Sequence, residues 1–110
     1  MEENQLNSFE IIVIKEEVVN TLRTVYDPEI PVDIYELGLV YSVDVDTNGV
    51  AAITMTLTSP MCPAAQSLPP EIKEKVETVK GITRADVNVV WEPRWDPSMM
   101  TEAAKLALNM

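Results

Sequence analysis

Leu39-Val40-Tyr41-Ser42-Val43-Asp44-Val45-Asp46-Thr47-Asn48-Gly49-Val50-Ala51-Ala52-Ile53-Thr54-Met55-Thr56-Leu57-Thr58 is the stretch on which the fold turns. Leu39, Tyr41, Val43 and Val45 alternate with Val40, Ser42, Asp44 and Asp46, the period of a strand with one polar face. Asn48-Gly49 tolerates the positive φ that a tight hairpin turn needs. Ala51, Ile53, Met55 and Leu57 then alternate with Ala52, Thr54, Thr56 and Thr58, which predicts a second strand antiparallel to the first.

Upstream, Ile14, Val18, Leu22 and Val25 fall at helical spacing and predict an amphipathic helix over 14–26. Asp27 cannot comfortably continue it, because the residue before Pro28 is pushed out of helical geometry. Asp27-Pro28-Glu29-Ile30-Pro31-Val32-Asp33 then reads as a stiff connection pinned by two prolines. Downstream, a helical segment follows Cys62, and Pro69-Pro70 is expected to break or restart it. From Pro70 the pattern Ile72, Val76, Val79 closes on Gly81, a favoured helix-ending residue. Ala85, Val87, Val89 and Trp91 alternate as a third strand. Residues 91–97 read as a rigid aromatic loop, and Met100, Ala103, Ala104, Ala107 and Leu108 as a short final helix. The sum is a small α+β domain of two layers, a three-stranded mixed sheet with a β-hairpin and helices on one face. Its expected divisions are an arm over 1–13, the domain over 14–98 and a helical tail over 99–110.

A chain of 110 residues suits one domain, burying about 65% of its unfolded surface. Its formal charge of −10 argues against a phosphate backbone or an anionic membrane as partner, since neither attracts an acidic surface. An acidic start, Met1-Glu2-Glu3, is unlike a secretory signal, and no run approaches the roughly 18 apolar residues of a membrane span. With one unpaired cysteine as well, the expected compartment is a reducing cytoplasm.

That cysteine, Cys62, lies in Thr58-Ser59-Pro60-Met61-Cys62-Pro63, and the chain has no histidine. A cysteine–histidine catalytic pair, an internal disulfide and a zinc site of cysteine and histidine within one chain are all excluded. Whatever Cys62 does recruits ligands, a thiol or a partner from outside. Pro63 suits a first helical position, which would set Cys62 near the helix N-cap, where the dipole favours an anion. A thiol of pKa near 8.5 is only about 3% thiolate at pH 7, and lowering that pKa by about 1.5 units takes roughly 2 kcal/mol, the top of a dipole's range. The competing reading is an inert cysteine packed as a small hydrophobe.

Asp27, Glu29, Asp33 and Glu36 form an acidic set that could supply acid, base or hard-metal ligands. The plainer reading is a solvated loop in which Asp27 and Asp33 make turn hydrogen bonds. Thr58 and Ser59 place hydroxyls beside the cysteine, whereas Thr54 and Thr56 need no more explanation than strand preference. Trp91, Trp95, Met99 and Met100 could form a docking patch or pack the tail over the sheet.

Taken together, Asp27 to Ile34, Glu36-Leu37-Gly38-Leu39-Val40-Tyr41, Thr58 to Pro63, and the closing Trp91-Glu92-Pro93-Arg94-Trp95 with Met99 resemble the iron–sulfur cluster assembly family that includes SufT- and PaaD-like proteins, its SufT-like branch above all. The resemblance spans residues 16–100. It implies a fold like the C-terminal domain of NifU-type scaffolds and a non-enzymatic role in delivering clusters to client apoproteins. It implies Cys62 as the functional thiol, tied transiently to an iron–sulfur cluster that one chain does not hold stably. Asp27 and Glu29 match the family's acidic loop, and Thr58 and Ser59 its polar positions before the cysteine. Trp95 and Met99, the candidate docking residues, lie in the closing stretch that fits the SufT-like branch. The partners implied are iron–sulfur scaffold or carrier proteins, clients and a second copy in a homodimer, without nucleic acid or membrane. Three alternatives stand beside this: an adaptor that binds no cluster, a PaaD-like factor for one oxygenase, and a thiol enzyme with a resolving thiol from elsewhere.

Overall fold

The computed structural model describes residues 5–26, 31–58 and 64–108. Helix α1, Ser8–Leu22, starts six residues before its expected beginning, because Asn7 and Glu10 form a reciprocal cap. The Asn7 side chain accepts from the Glu10 amide at 2.8 Å, and the Glu10 carboxylate accepts from the Asn7 amide at 3.0 Å. Two otherwise orphaned helix donors are thereby satisfied. The helix also ends earlier than 26: the Val25 amide donates to the Leu22 carbonyl at 3.2 Å, tightening the last turn. Val25 still enters the core, but from this turn.

Strands β1, Val40–Val45, and β2, Val50–Met55, form the expected antiparallel hairpin. Helix α2, Ala64–Val76, then carries the chain back to β3, Arg84–Val89, which pairs with β2 in parallel. The sheet order is β1-β2-β3, and the parallel pair needs a crossover such as α2 supplies. A 3-10 helix, Pro97–Met99, and helix α3, Glu102–Ala107, complete the chain.

Two details depart from the expected pattern. Val40 pairs with Met55 while Ser42 pairs with Thr54, so Tyr41 is the extra residue of a bulge. Directly paired residues share a face, so Val40 rather than Tyr41 stands on the core side with Met55, and Tyr41 is released towards the tail. Secondly, Pro69 and Pro70 do not break α2. They remove the amide donors that would bond to the carbonyls of residues 65 and 66. Leu68, Ile72 and Val76, spaced at four residues and almost wholly buried, hold the helix on the sheet regardless. Pairs Glu71–Lys75 at 3.4 Å and Lys73–Glu77 at 2.9 Å support its second half. Helix α2 stops at Val76, and Gly81 (φ 98°) closes the turn beyond it.

The core lies between the sheet and the helices. Ile14, Val18 and Leu22 of α1 and Leu68, Ile72 and Val76 of α2 pack with Val43, Ala51, Ile53, Met55 and Ala85. Each such Leu, Ile or Val contributes about 2 kcal/mol by leaving water. Among the described residues no helix is long and apolar enough to cross a membrane.

Candidate functional site

The two ends of the sheet differ in kind. At one lies the hairpin turn; at the other β2 runs out through Thr56, Leu57 and Thr58 towards Cys62. The ladder continues a little past the strands there, with the Thr56 amide donating to the Leu39 carbonyl and the Val90 amide to the Met55 carbonyl, both at 2.8 Å. Thr56 is buried, and Thr58 is half-buried.

The tail leaves β3 at this same end and folds across it. A cleft of about 360 Å3 results, with Thr56, Leu57 and Thr58 on one wall and Trp91, Glu92, Arg94 and Trp95 on the other. Trp91 is 42% exposed and so presents its ring to the outside.

Several side chains fix the tail in that position. The Tyr41 hydroxyl, freed by the bulge, donates to the Pro93 carbonyl at 2.7 Å and lies 3.6 Å from the Met99 sulfur. Trp95 donates its indole N–H to the Leu37 carbonyl at 2.8 Å. The Thr101 amide donates to the Glu36 carbonyl at 3.0 Å, and its hydroxyl donates to the Glu36 carboxylate. Gly38, at φ 81°, lets the Met99 backbone lie so close that a Cβ there would collide with its carbonyl oxygen. Burial, and then the negative charge of Asp96, raise the Tyr41 phenol above its ordinary pKa, while a hydrogen bond from Thr56 opposes them. Tyr41 is therefore neutral at ordinary pH and keeps its donor.

The acidic set divides. Asp33 Oδ2 accepts from the amides of Tyr35 and Glu36, each at 3.0 Å, as the turn reading expects. Glu36 lies 3.4 Å from Arg23 Nε, whose guanidinium stands 5.0 Å from the centre of the Tyr35 ring. These two carboxylates hold the structure together. Asp27 and Glu29 lie outside the described residues, between a bridge pairing Tyr26 with Asp33. Ser59 and Cys62 also lie outside them, after Thr58 and before the start of α2. Among the described residues no group of three acidic, histidine or cysteine side chains could hold a metal ion.

Of the expected site residues, then, Thr58 and Trp95 are brought to one cleft, whereas Met99 is not part of its lining and meets the Tyr41 hydroxyl instead. The sequence shows Tyr41 and Gly38, which fix the tail, only as members of a strand and of a motif. A bulge leaves no mark in a two-residue period, although a glycine beside a strand was a usable signal for Gly38. Arg94, quoted only as part of a motif, is the cleft's cation.

Residues 15–89 match the model of a family described as iron–sulfur cluster assembly protein. The chain is similar to a Fe-S protein maturation auxiliary factor of Porphyromonas gingivalis, 48% identical over 100 residues that cover 91% of this chain and 95% of that one. It is also similar to the Fe-S protein maturation auxiliary factor SufT of Staphylococcus aureus, 43% identical over 86 residues, covering 78% and 98% of the two chains. The fold superposes on the crystal structure of a DUF59 domain from Bacillus anthracis with a TM-score of 0.88, at 40% identity and covering 94% and 99% of the two chains.

Proposed function

Since the chain belongs to the iron–sulfur cluster assembly protein family, we propose that it is a maturation factor that helps deliver clusters to client apoproteins, with Cys62 as its working thiol. The observation that carries this reading is the cleft at the end of β2, whose wall leads in four residues from Thr58 to Cys62. It offers hydroxyls, a guanidinium and an aromatic rim where the chain leads on in sequence to its only thiol.

A cluster takes about four thiolate ligands, and this chain has one cysteine and no histidine. A cluster held through Cys62 therefore takes its remaining ligands from a second copy, a scaffold or the client. Such an underligated grip suits handing on, because the receiving protein completes the coordination. In this reading the cluster is cargo and the chain no catalyst. Thr58 and Ser59 donate hydrogen bonds beside the thiol, Asp27 and Glu29 form the neighbouring acidic loop, and Trp95 and Met99 back the surface that meets the partner. A reduced thiol is needed, which fits a cytoplasmic setting.

A second reading, an adaptor that binds no cluster, draws support from the exposed Trp91 ring on the cleft, since aromatic anchors dominate docking surfaces. Iron and acid-labile sulfide on anaerobically purified protein, with its visible spectrum, separate the two. The expected result is iron and sulfide lost in Cys62→Ser, together with loss of client activation. Normal client activation by Cys62→Ser would sink the thiol reading. A metal-free, colourless wild type that still activates clients would favour the adaptor.

A further inference from the structure

A second cavity, of about 680 Å3, lies between α1 and the turn that follows α2 and shares no residue with the cleft. Leu6, Phe9, Val13 and Ile14 line one side of it, and the turn Thr78–Gly81 with Val79 lines the other. Helix α1 thus carries two apolar stripes. Ile14, Val18 and Leu22 enter the core, whereas Phe9 and Val13, four residues apart on the groove, are 72% and 43% exposed, and Ile12, 65% exposed, faces away from it beside Lys15 and Val19. Half of the exposed large apolar side chains described fall on this one turn of helix. Neither the hydrophobic core nor the cleft uses them.

Charge limits what can cover this groove. Glu10 and Glu17 stand on its helical rim and Lys80 on the other, in a chain of formal charge −10. Two copies meeting here would set acidic rim and net charge against their like. A segment bearing lysine or arginine beside an apolar stripe is attracted instead. Within α1 the groove runs from Phe9 to Thr21, which at 1.5 Å per residue is about 18 Å, or some three turns of a partner helix. We propose that this groove docks an amphipathic helix of a partner protein. Its apolar residues, at one- and two-turn spacing, lie between Phe9, Val13 and Val79, and its cationic flank faces Glu10 and Glu17. The groove shares no lining residue with the cleft, so a partner held here leaves the cleft open.

The test uses the full chain and a fluorescein-labelled synthetic helix of 18 residues, leucine on one face and lysine flanking it, beside a twin with glutamate for lysine. The expected outcome is binding of the lysine peptide, with NMR shifts confined to Leu6–Thr21 and Thr78–Gly81. Val13→Asp should weaken it at least tenfold and Glu17→Lys severalfold, while Cys62→Ser leaves it unchanged, which separates this surface from the thiol reading. Should Val13→Asp fail to fold by circular dichroism, Phe9→Ser, at a more exposed position, replaces it. Equal affinity for the glutamate twin, shifts at the cleft instead, or indifference to both groove variants would overturn the proposal. So would self-association of the protein alone by sedimentation, abolished by the same groove variants, since a second copy would then be the occupant.

Discussion

The hairpin end and the cleft end of the sheet are closed by different means. At the hairpin end backbone groups tie separate segments directly: the Leu6 amide reaches the Thr47 carbonyl, and the Thr83 amide the Gly49 carbonyl, both at 2.8 Å. Asp46 adds bonds from the amides of Asn48 and Val50 within its own turn. Lys73 and Glu77 clamp the Ala85 backbone, and these contacts hold the Glu77 carboxyl below its usual pKa. At the cleft end the closure is a strap of side chains far apart in sequence: Tyr41 to Pro93, Trp95 to Leu37, Thr101 to Glu36. A backbone network survives most substitutions, whereas a side-chain strap can be cut at a single residue. The end proposed for chemistry is therefore the one that mutation, or a partner, can loosen without disturbing the other.

The comparison can be broken most severely from the middle. Ile53, fully buried at the centre of β2, serves both ends. Ile53→Ala should cost about 3 kcal/mol. Amide exchange should then rise together at Thr83 and at Thr56; protection lost at one end alone would mean that the ends fold independently. A sharper cut is Gly38→Ala, since a positive φ costs a residue with Cβ about 1–3 kcal/mol and the methyl group also meets Met99. We expect faster exchange at Trp95 to Thr101 with little change at Thr83, checked by exchange-detected NMR. The smallest effect is that of alkali. The folded pKa of Tyr41 lies above the unfolded value of 10.0, so its contribution is complete below that pH and is lost as pH rises through the raised value. Tryptophan fluorescence should shift as the Tyr41 donor is lost, and Tyr41→Phe should abolish that alkaline transition. An unchanged transition in the variant would assign it elsewhere.

The hairpin was legible because two independent signals agreed: a two-residue period on both sides and Asn48-Gly49 between them. The turn role of Asp33 and the short final helix were legible for similar local reasons. The start of α1 was not, because Phe9, Ile12 and Val13 fall off the core stripe, although Asn7-x-x-Glu10 was a capping signature in plain view. The continuity of α2 was hidden because local proline chemistry argued for a break, while burial of Leu68, Ile72 and Val76 came from tertiary packing. For the site, sequence marked the thiol, the hydroxyls before it and the tryptophan loop as separate stretches. It could not reveal that Tyr41 joins the last of these to the sheet, because that depends on one unpaired residue in β1.

The parallel pairing of β2 and β3 has one more consequence. Two strands pointing the same way deliver whatever follows them to the same pole, here the segment after Met55 and the segment after Val89. Were β3 reversed, Trp91 to Trp95 would emerge beside the hairpin turn and the cleft would have one wall. Strand direction, carried through the α2 crossover, is thus what makes neighbours of residues more than thirty positions apart, much as larger α/β folds gather their binding loops at the carboxyl ends of parallel strands.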